Sequence, residues 1–253
     1  RSEFVPDTKL CTTIGRDGAT VSTVEHLLSA LAGLGVDNAR IEVSGAEVPI
    51  MDGSAAPFVF LIQCAGVREQ SRPKQVMRIL RRVSVADGDK RCSLSPAQGF
   101  RISYLLDYDH PLLSNRHVSI DFSRQAYTRE VSRARTFGFL HEVESLQKMG
   151  LALGGSLENA IGLDSYRVVN EGGLRYSDEC TRHKILDTLG DLSLAGMPIV
   201  GAFDGVRTGH ACNHRLVEKL LAEPDSWRIE MLALDSVLPQ EGSAPADVIT
   251  QLG

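Results

Sequence analysis

Residues 176–194 read YSDECTRHKILDTLGDLSL, and the rest of the chain is organised around them. The stretch predicts a helix. Ser177 or Asp178 can cap its start, and Asp178 and Glu179 put negative charge in the first turn, where the helix dipole favours it. Gly196 and Pro198 end it. Ile185, Leu186, Leu189 and Leu192 form one apolar stripe at helical spacing. On nearly the opposite side stand His183, Asp187 and Asp191, each four residues after the last, so their side chains lie one above the other. An imidazole and a carboxylate can then reach one metal ion, with a second carboxylate a turn further on. A solvated polar face is the plainer reading of the same spacing.

Working outward, residues 21–35, VSTVEHLLSALAGLG, predict a second helix. Ser22 suits its N-cap, Val24, Leu27, Leu28 and Leu31 form its stripe, and Gly33 and Gly35 end it. Residues 39–43, ARIEV, alternate like a strand, and 48–57 are turn-rich. Pro57 suits the first position of a short apolar helix closed by Gly66. The charged run 69–74, EQSRPK, is the candidate linker. Strand-like runs follow at 75–80, 101–106 and 117–122, with turns at Asp87–Gly88 and around Pro111. An amphipathic helix is expected over 140–149, broken by the LGGS at 153–156. Strands are expected at 166–170 and 198–203, a glycine-bounded loop at 205–210 and a helix at 213–221. The irregular alternation of strands and helices favours α+β over a doubly wound parallel sheet.

With 253 residues, 43% hydrophobic and 23% charged, the chain can build a core of one large domain or two small ones. The net charge of −5 and the lack of a Lys/Arg run argue against a nucleic-acid binder. The five cysteines are scattered and never form C-x-x-C, which points to a reducing compartment, the cytoplasm, rather than a disulfide framework. No apolar run reaches membrane-spanning length. The chain starts at Arg1 without a methionine and is expected to be a trimmed fragment.

Glu25–His26 is the second informative pair. His26 lies off the apolar stripe, so with His183 and Asp187 it would complete a two-histidine, one-carboxylate set that leaves one position open for water, as catalytic zinc requires. Glu25 could take a proton from that water. Against this, Ser22-x-x-Glu25 is also a capping box, and His26 reads equally as a surface or partly buried histidine. In RTGHA, residues 207–211, His210 follows a glycine and begins a helix. The dipole there lowers its pKa, and a carboxylate such as Asp191 would raise it again, giving a general acid; a loop histidine with no role is the plainer reading. The Thr136 hydroxyl could stabilise an oxyanion or merely cap a helix. Arg133 and Arg135 could meet phosphate or form a solvated basic turn. Lys184 could sit over the metal or in solvent. There is no H-E-x-x-H, P-loop, G-x-G-x-x-G or G-x-S-x-G.

Five blocks resemble the UDP-3-O-acyl-N-acetylglucosamine deacetylases, zinc enzymes of bacterial lipid A biosynthesis. They are STVEHLLSALAGLG (22–35), EVPIMDGSA (47–55), SRARTFGF (132–139), RHKILD-x-LGDL (182–192) and TGHA (208–211). The resemblance implies Zn2+ held by His26, His183 and Asp187. It implies Glu25 as general base, His210 as general acid oriented by Asp191, and Thr136 and Lys184 as transition-state or substrate contacts. Phe137, Phe139 and the following segment, with Gly155 and Ser156, would face the acyl chain. The expected fold is α+β: two similar domains, each a β-sheet packed with two helices, with the zinc in the cleft between them. The domains would span residues 1–70, N-terminally incomplete, and 75–253, with an acyl-binding insert around 139–161. The partner is the UDP-linked acylated amino sugar, with no nucleic acid, no transmembrane segment and a monomeric state. Two alternatives are a non-haem iron enzyme using the same ligand set and a non-catalytic protein whose metal only ties two domains together.

Overall fold

The computed structural model describes residues 2–148, 152 and 154–232. A hairpin of β1 (Ile14–Arg16) and β2 (Ala19–Val21) leads into α1 (Glu25–Gly33) and α2 (Ala56–Ala65). Strands β3 (Lys74–Ile79), β4 (Val83–Asp87), β5 (Lys90–Ser95), β6 (Phe100–Leu106) and β7 (Arg116–Asp121) follow. A short α3 (Arg124–Ala126) runs into a π-helical turn at Tyr127–Val131. Then come β8 (Phe137–Phe139), α4 (Leu140–Lys148), β9 (Ile161–Leu163), α5 (Glu179–Leu192), β10 (Ile199–Val206), α6 (His210–Ala222) and β11 (Trp227–Leu232). The α+β class is as the sequence predicts.

Strand β10 is the hub of a seven-stranded mixed sheet. Its first residues pair parallel with β3, which carries β11 on its other edge. The remainder pairs antiparallel with β5 and parallel with β6, which carry β4 and β7. Alternation along β6 shows why one face is core: Ile102, Tyr104 and Leu106 are buried, while Arg101 and Ser103 face away. There they bond across to β7, Arg101 to Asp121 and Ser103 to Ser119. Helix α5 packs over β6 and β7, and α6 over β4 and β5. Helix α1 lies across α5 on the side away from the sheet. Sandwiched in this way, α5 buries every residue but Arg182 and Lys184, so its polar stripe is not a solvated face.

Gly190 permits the closest part of the α1–α5 contact. A Cβ there would lie 2.1 Å from the Glu25 carbonyl oxygen, so only glycine fits. Across the molecule, Gly53 (φ +81°) lets its turn press on residue 159, where a Cβ would meet the Asn159 carbonyl at 1.9 Å.

Several local expectations fail for tertiary reasons. Helix α1 begins at Glu25, not at 21, because Thr23 adopts a left-handed φ of 59° and breaks the run before it. Ser22 is therefore no N-cap; its hydroxyl bonds to Thr13 Oγ1 at 3.0 Å. Asp178 does hold the N-cap position of α5, but its carboxylate takes Arg182 Nε at 2.6 Å instead of a helix amide. Residues 39–43 form no strand, because no neighbouring strand bonds to them, and they are exposed. At 166–170 a single bridge, Leu163↔Val168, replaces the expected strand. Strand β11 had no expectation, and β4 and β5 flank the turn foreseen at Asp87–Gly88. The helix expected over 140–149 ends its description at Lys148; Met149 and Leu153 lie outside the described residues. Cys92 and Cys212, distant in sequence, meet in the core as free thiols with Sγ atoms 3.1 Å apart.

Candidate metal centre

Helix α5 carries His183 and Asp187 one turn apart, and α1 brings His26 against them. All three are buried, and their ligand atoms lie within 4.8 Å of one another. Asp187 Oδ1 is 3.2 Å from His183 Nε2 and 3.6 Å from His26 Nε2. Bonds of about 2.0–2.1 Å in a tetrahedral site put ligand atoms about 3.3 Å apart, so the spacing fits a zinc-sized ion. The protonation states fit as well. His183 Nδ1 donates to the Ala134 carbonyl at 3.0 Å, which leaves the Nε2 lone pair facing Asp187. Burial lowers the His183 pKa to about 4, despite the opposing pull of Asp187, so the ring is neutral near pH 7. Burial alone would raise Asp187, but His183 and Lys184 outweigh it and hold the carboxyl well below the usual carboxylate range. His26 Nδ1 is a buried nitrogen without a hydrogen-bond partner among the described residues.

Glu25 is the first residue of α1 and is 4% exposed. Its Oε2 accepts the Thr12 N–H at 3.0 Å, and its Oε1 is 3.8 Å from His210 Nε2. It bonds to Thr12 rather than back to the helix start, so the capping-box reading fails. Burial raises its pKa, partly offset by His210 and His26.

His210 opens α6, after Gly209 at the N-cap. Its Nδ1 lies 3.1 and 3.0 Å from the two oxygens of Asp191. Burial disfavours the imidazolium, but the Asp191 charge and hydrogen bond prevail and raise the pKa to about 9. Asp191 is itself pinned by Thr12 Oγ1 at 2.7 Å and Asn213 Nδ2 at 2.9 Å. Asn213 in turn accepts from Thr208 Oγ1 at 3.1 Å. The sequence reading missed Thr12 and Asn213. Asn213 lies three residues after His210, so helical spacing could have found it; Thr12 sends no local signal.

Lys184 is not free in solvent but sits beside the candidate ligand Asp187. Its Nζ sits 2.9 Å from Asp187 Oδ2 and 5.6 Å from the centre of the Phe137 ring. Phe137 and Phe139 share an aromatic cluster with Tyr108, at 6.3 and 5.9 Å between ring centres. Thr136 precedes a strand, not a helix, so it caps nothing; its N–H bonds to Gly53 O at 2.8 Å and its carbonyl accepts from Ile161 at 2.7 Å. Arg135 is neither solvated nor open to phosphate, since it is buried against Glu179. Gly155 and Ser156 lie on an exposed turn, where Ser156 N–H bonds to Asn159 Oδ1 at 2.9 Å.

A family model, LpxC, described as UDP-3-O-acyl N-acetylglycosamine deacetylase, matches residues 1–222. A UDP-3-O-acyl-N-acetylglucosamine deacetylase of Myxococcus xanthus is 56% identical over 228 residues, 90% of this chain and 73% of the relative. One from Acidithiobacillus ferrooxidans is 56% identical over 225 residues, 88% of this chain and 74% of the relative. One from Shewanella violacea is 49% identical over 252 residues, 98% of this chain and 82% of the relative.

Proposed function

The chain belongs to the UDP-3-O-acyl-N-acetylglucosamine deacetylase family and is a deacetylase of that UDP-linked sugar in lipid A biosynthesis; we propose that it works with a zinc ion held by His26, His183 and Asp187. One observation carries the proposed site: a buried two-histidine, one-carboxylate set flanked by a carboxylate and an imidazole whose proton affinities are both raised. When bound, the ion supplies Lewis acidity towards the acetamide carbonyl and makes water a stronger acid.

Glu25 is the general base. A raised pKa brings a carboxylate closer to the operating pH and makes it a better proton acceptor. The Thr12 N–H holds Oε2, so the carboxylate is oriented rather than free to spin. His210 is the general acid. Asp191 takes Nδ1–H, and Nε2–H is left to protonate the leaving amine, which would otherwise depart as a poor anion. Water adds to the acetyl carbon, the C–N bond breaks, and acetate and a free amine result. The Thr136 hydroxyl is assigned to the developing oxyanion, Lys184 to a contact with the transition state or substrate, and Phe137 and Phe139 to the start of the acyl chain. The β8–α4–β9 unit, with Gly155 and Ser156, would form the acyl-binding insert of a second domain spanning 75–253, with 1–70 as the first. The ion in a non-catalytic tie would have no use for a base and an acid poised beside it, and an iron oxygenase needs neither.

No described helix is long and apolar enough to cross a membrane. We assign the chain to the cytoplasm, a reducing compartment that suits five free cysteines. The proposed ligands, base and acid all come from one chain, so a monomer suffices. Assaying metal-free and zinc-reloaded chain for acetate release tests the reading. Activity restored by zinc is expected; equal turnover without metal would overturn it.

A further inference from the structure

We propose that Glu179 is a positioning residue that sets the tautomer of His183 through a single shared peptide unit. The inference rests on His183 being a metal ligand, as assigned above. Glu179 is the first residue of α5, one helical turn before His183, and is fully buried. Its Oε1 accepts the backbone N–H of Arg135 at 3.0 Å. His183 Nδ1 is bonded to the carbonyl of Ala134 at 3.0 Å. That N–H and that C=O are the two ends of one planar peptide group. Helix α5 thus grips one peptide unit at both ends, with a carboxylate at its donor and an imidazole at its acceptor.

The consequence is chemical. With the carbonyl facing it, Nδ1 of His183 must carry the proton and Nε2 must carry the lone pair. If the peptide turned over, its N–H would face Nδ1, the proton would move to Nε2, and Nε2 could not bind a metal. An ionised carboxylate has no donor of its own, so Glu179 tolerates only one orientation of the peptide. Every group around it donates: the Arg135 guanidinium, with Nε at 2.9 Å from Oε1 and Nη2 at 3.2 Å from Oε2, and the Arg175 N–H at 2.5 Å. Arg135 Nη2 also donates to the Gly173 carbonyl at 2.8 Å, which anchors the fork. A neutral glutamine presents an oxygen or an NH₂ to the peptide and loses that selectivity.

The test compares wild type, Glu179→Gln and Arg135→Lys, each measured by zinc affinity in chelator competition and by the His183 nitrogen shifts of the metal-free protein in NMR. Wild type is expected to show Nδ1 protonated and Nε2 bare. Glu179→Gln is expected to populate the other tautomer and to bind zinc about 10–100-fold more weakly, as for other groups that orient metal ligands indirectly. Arg135→Lys keeps the backbone N–H, so it is expected to melt earlier while keeping both the tautomer and zinc affinity within about threefold. If Glu179→Gln does not fold, Glu179→Asp, which draws the oxygen back by one methylene, is measured with the same expectation. Unchanged tautomer and affinity in the folded Glu179 variant, with only a lower melting temperature, would reduce Glu179 to a structural ion pair. Wild type that binds no zinc would instead overturn the metal assignment itself.

Discussion

The first turns of α1 and α6 are built alike, and both shift their first residue's pKa upward, but for different reasons. Each helix begins on an ionisable residue, Glu25 in one and His210 in the other. Each follows a residue in the left-handed region, Thr23 at φ 59° and Arg207 at φ 53°. At such a position the dipole favours an anion and disfavours a cation by about 0.3–1 kcal/mol. On that ground alone both pKa values should fall. Both rise instead. Glu25 is buried with one backbone donor, and desolvation wins. His210 is buried too, but it faces a pinned carboxylate, and a rise from 6.5 to about 9 corresponds to ~3 kcal/mol in favour of the imidazolium. A helix terminus is therefore a minor influence beside burial and a fixed partner. Thr12, outside both helices, serves both turns: its N–H holds Glu25 and its hydroxyl holds Asp191.

The harshest way to break the comparison is to remove what both turns act on. His183→Ala and Asp187→Ala should each abolish stoichiometric zinc binding and, with it, deacetylation, since three protein ligands cannot spare one. Metal content that stayed at one per chain in either variant would sink the ligand assignment. Next in size, Glu25→Gln should leave zinc bound and lower kcat by about 10²–10⁴-fold. Near-normal turnover of the folded variant would return α1 to a structural reading.

Asp191→Asn sharpens the other side. With His210 as the proposed general acid, the alkaline limb of the pH–rate profile would report loss of its proton, and it should move from about 9 towards the ordinary histidine value of 6.5. A limb that did not move would place the acid elsewhere. The same shift affects stability. A raised folded pKa contributes stability that is fully present below 6.5 and is lost as pH rises through about 9. Metal-free wild type should therefore lose its advantage over Asp191→Asn across that window in thermal melts. The smallest effect expected is that of Gly190→Ala. The new Cβ must push the Glu25 carbonyl away, at a cost of about 1–3 kcal/mol of overpacking. KM and kcat would both suffer as α1 lifts from α5. Full stability in this variant would mean that the two helices part without loss.

How much of this could be read in advance depends on reach along the chain. The proposed metal positions on α5, and the carboxylate there that partners the proposed acid, were legible because residues four apart on any helix share a face. His183, Asp187 and Asp191 needed only the helix to form. His210 at the start of its helix was legible from its glycine. Local pattern misled where a distant partner intervened. Ser22-x-x-Glu25 has a capping-box pattern, but Thr12 claims the carboxylate. Residues 39–43 alternate as a strand does, yet alternation makes a strand only when another strand bonds to it. Arg135 looked like a basic surface turn, and Glu179, 44 positions away, drew it into the core.

The sequence by itself determined the α+β class, the helix that carries two of the proposed ligands, and the motifs that mark the family. Only the tertiary structure decided which atoms face each other. His26 joins His183 because Gly190 lets two helices touch, and the lone pair of His183 points inward because Ala134 accepts from its other nitrogen. His210 holds its proton because Thr12 and Asn213 fix the carboxylate beside it. Helical spacing is a property of the local backbone, so it is written in adjacent residues. Tautomer, proton affinity and ligand distance depend on burial and on hydrogen bonds between segments far apart in the chain, which exist only once those segments have packed.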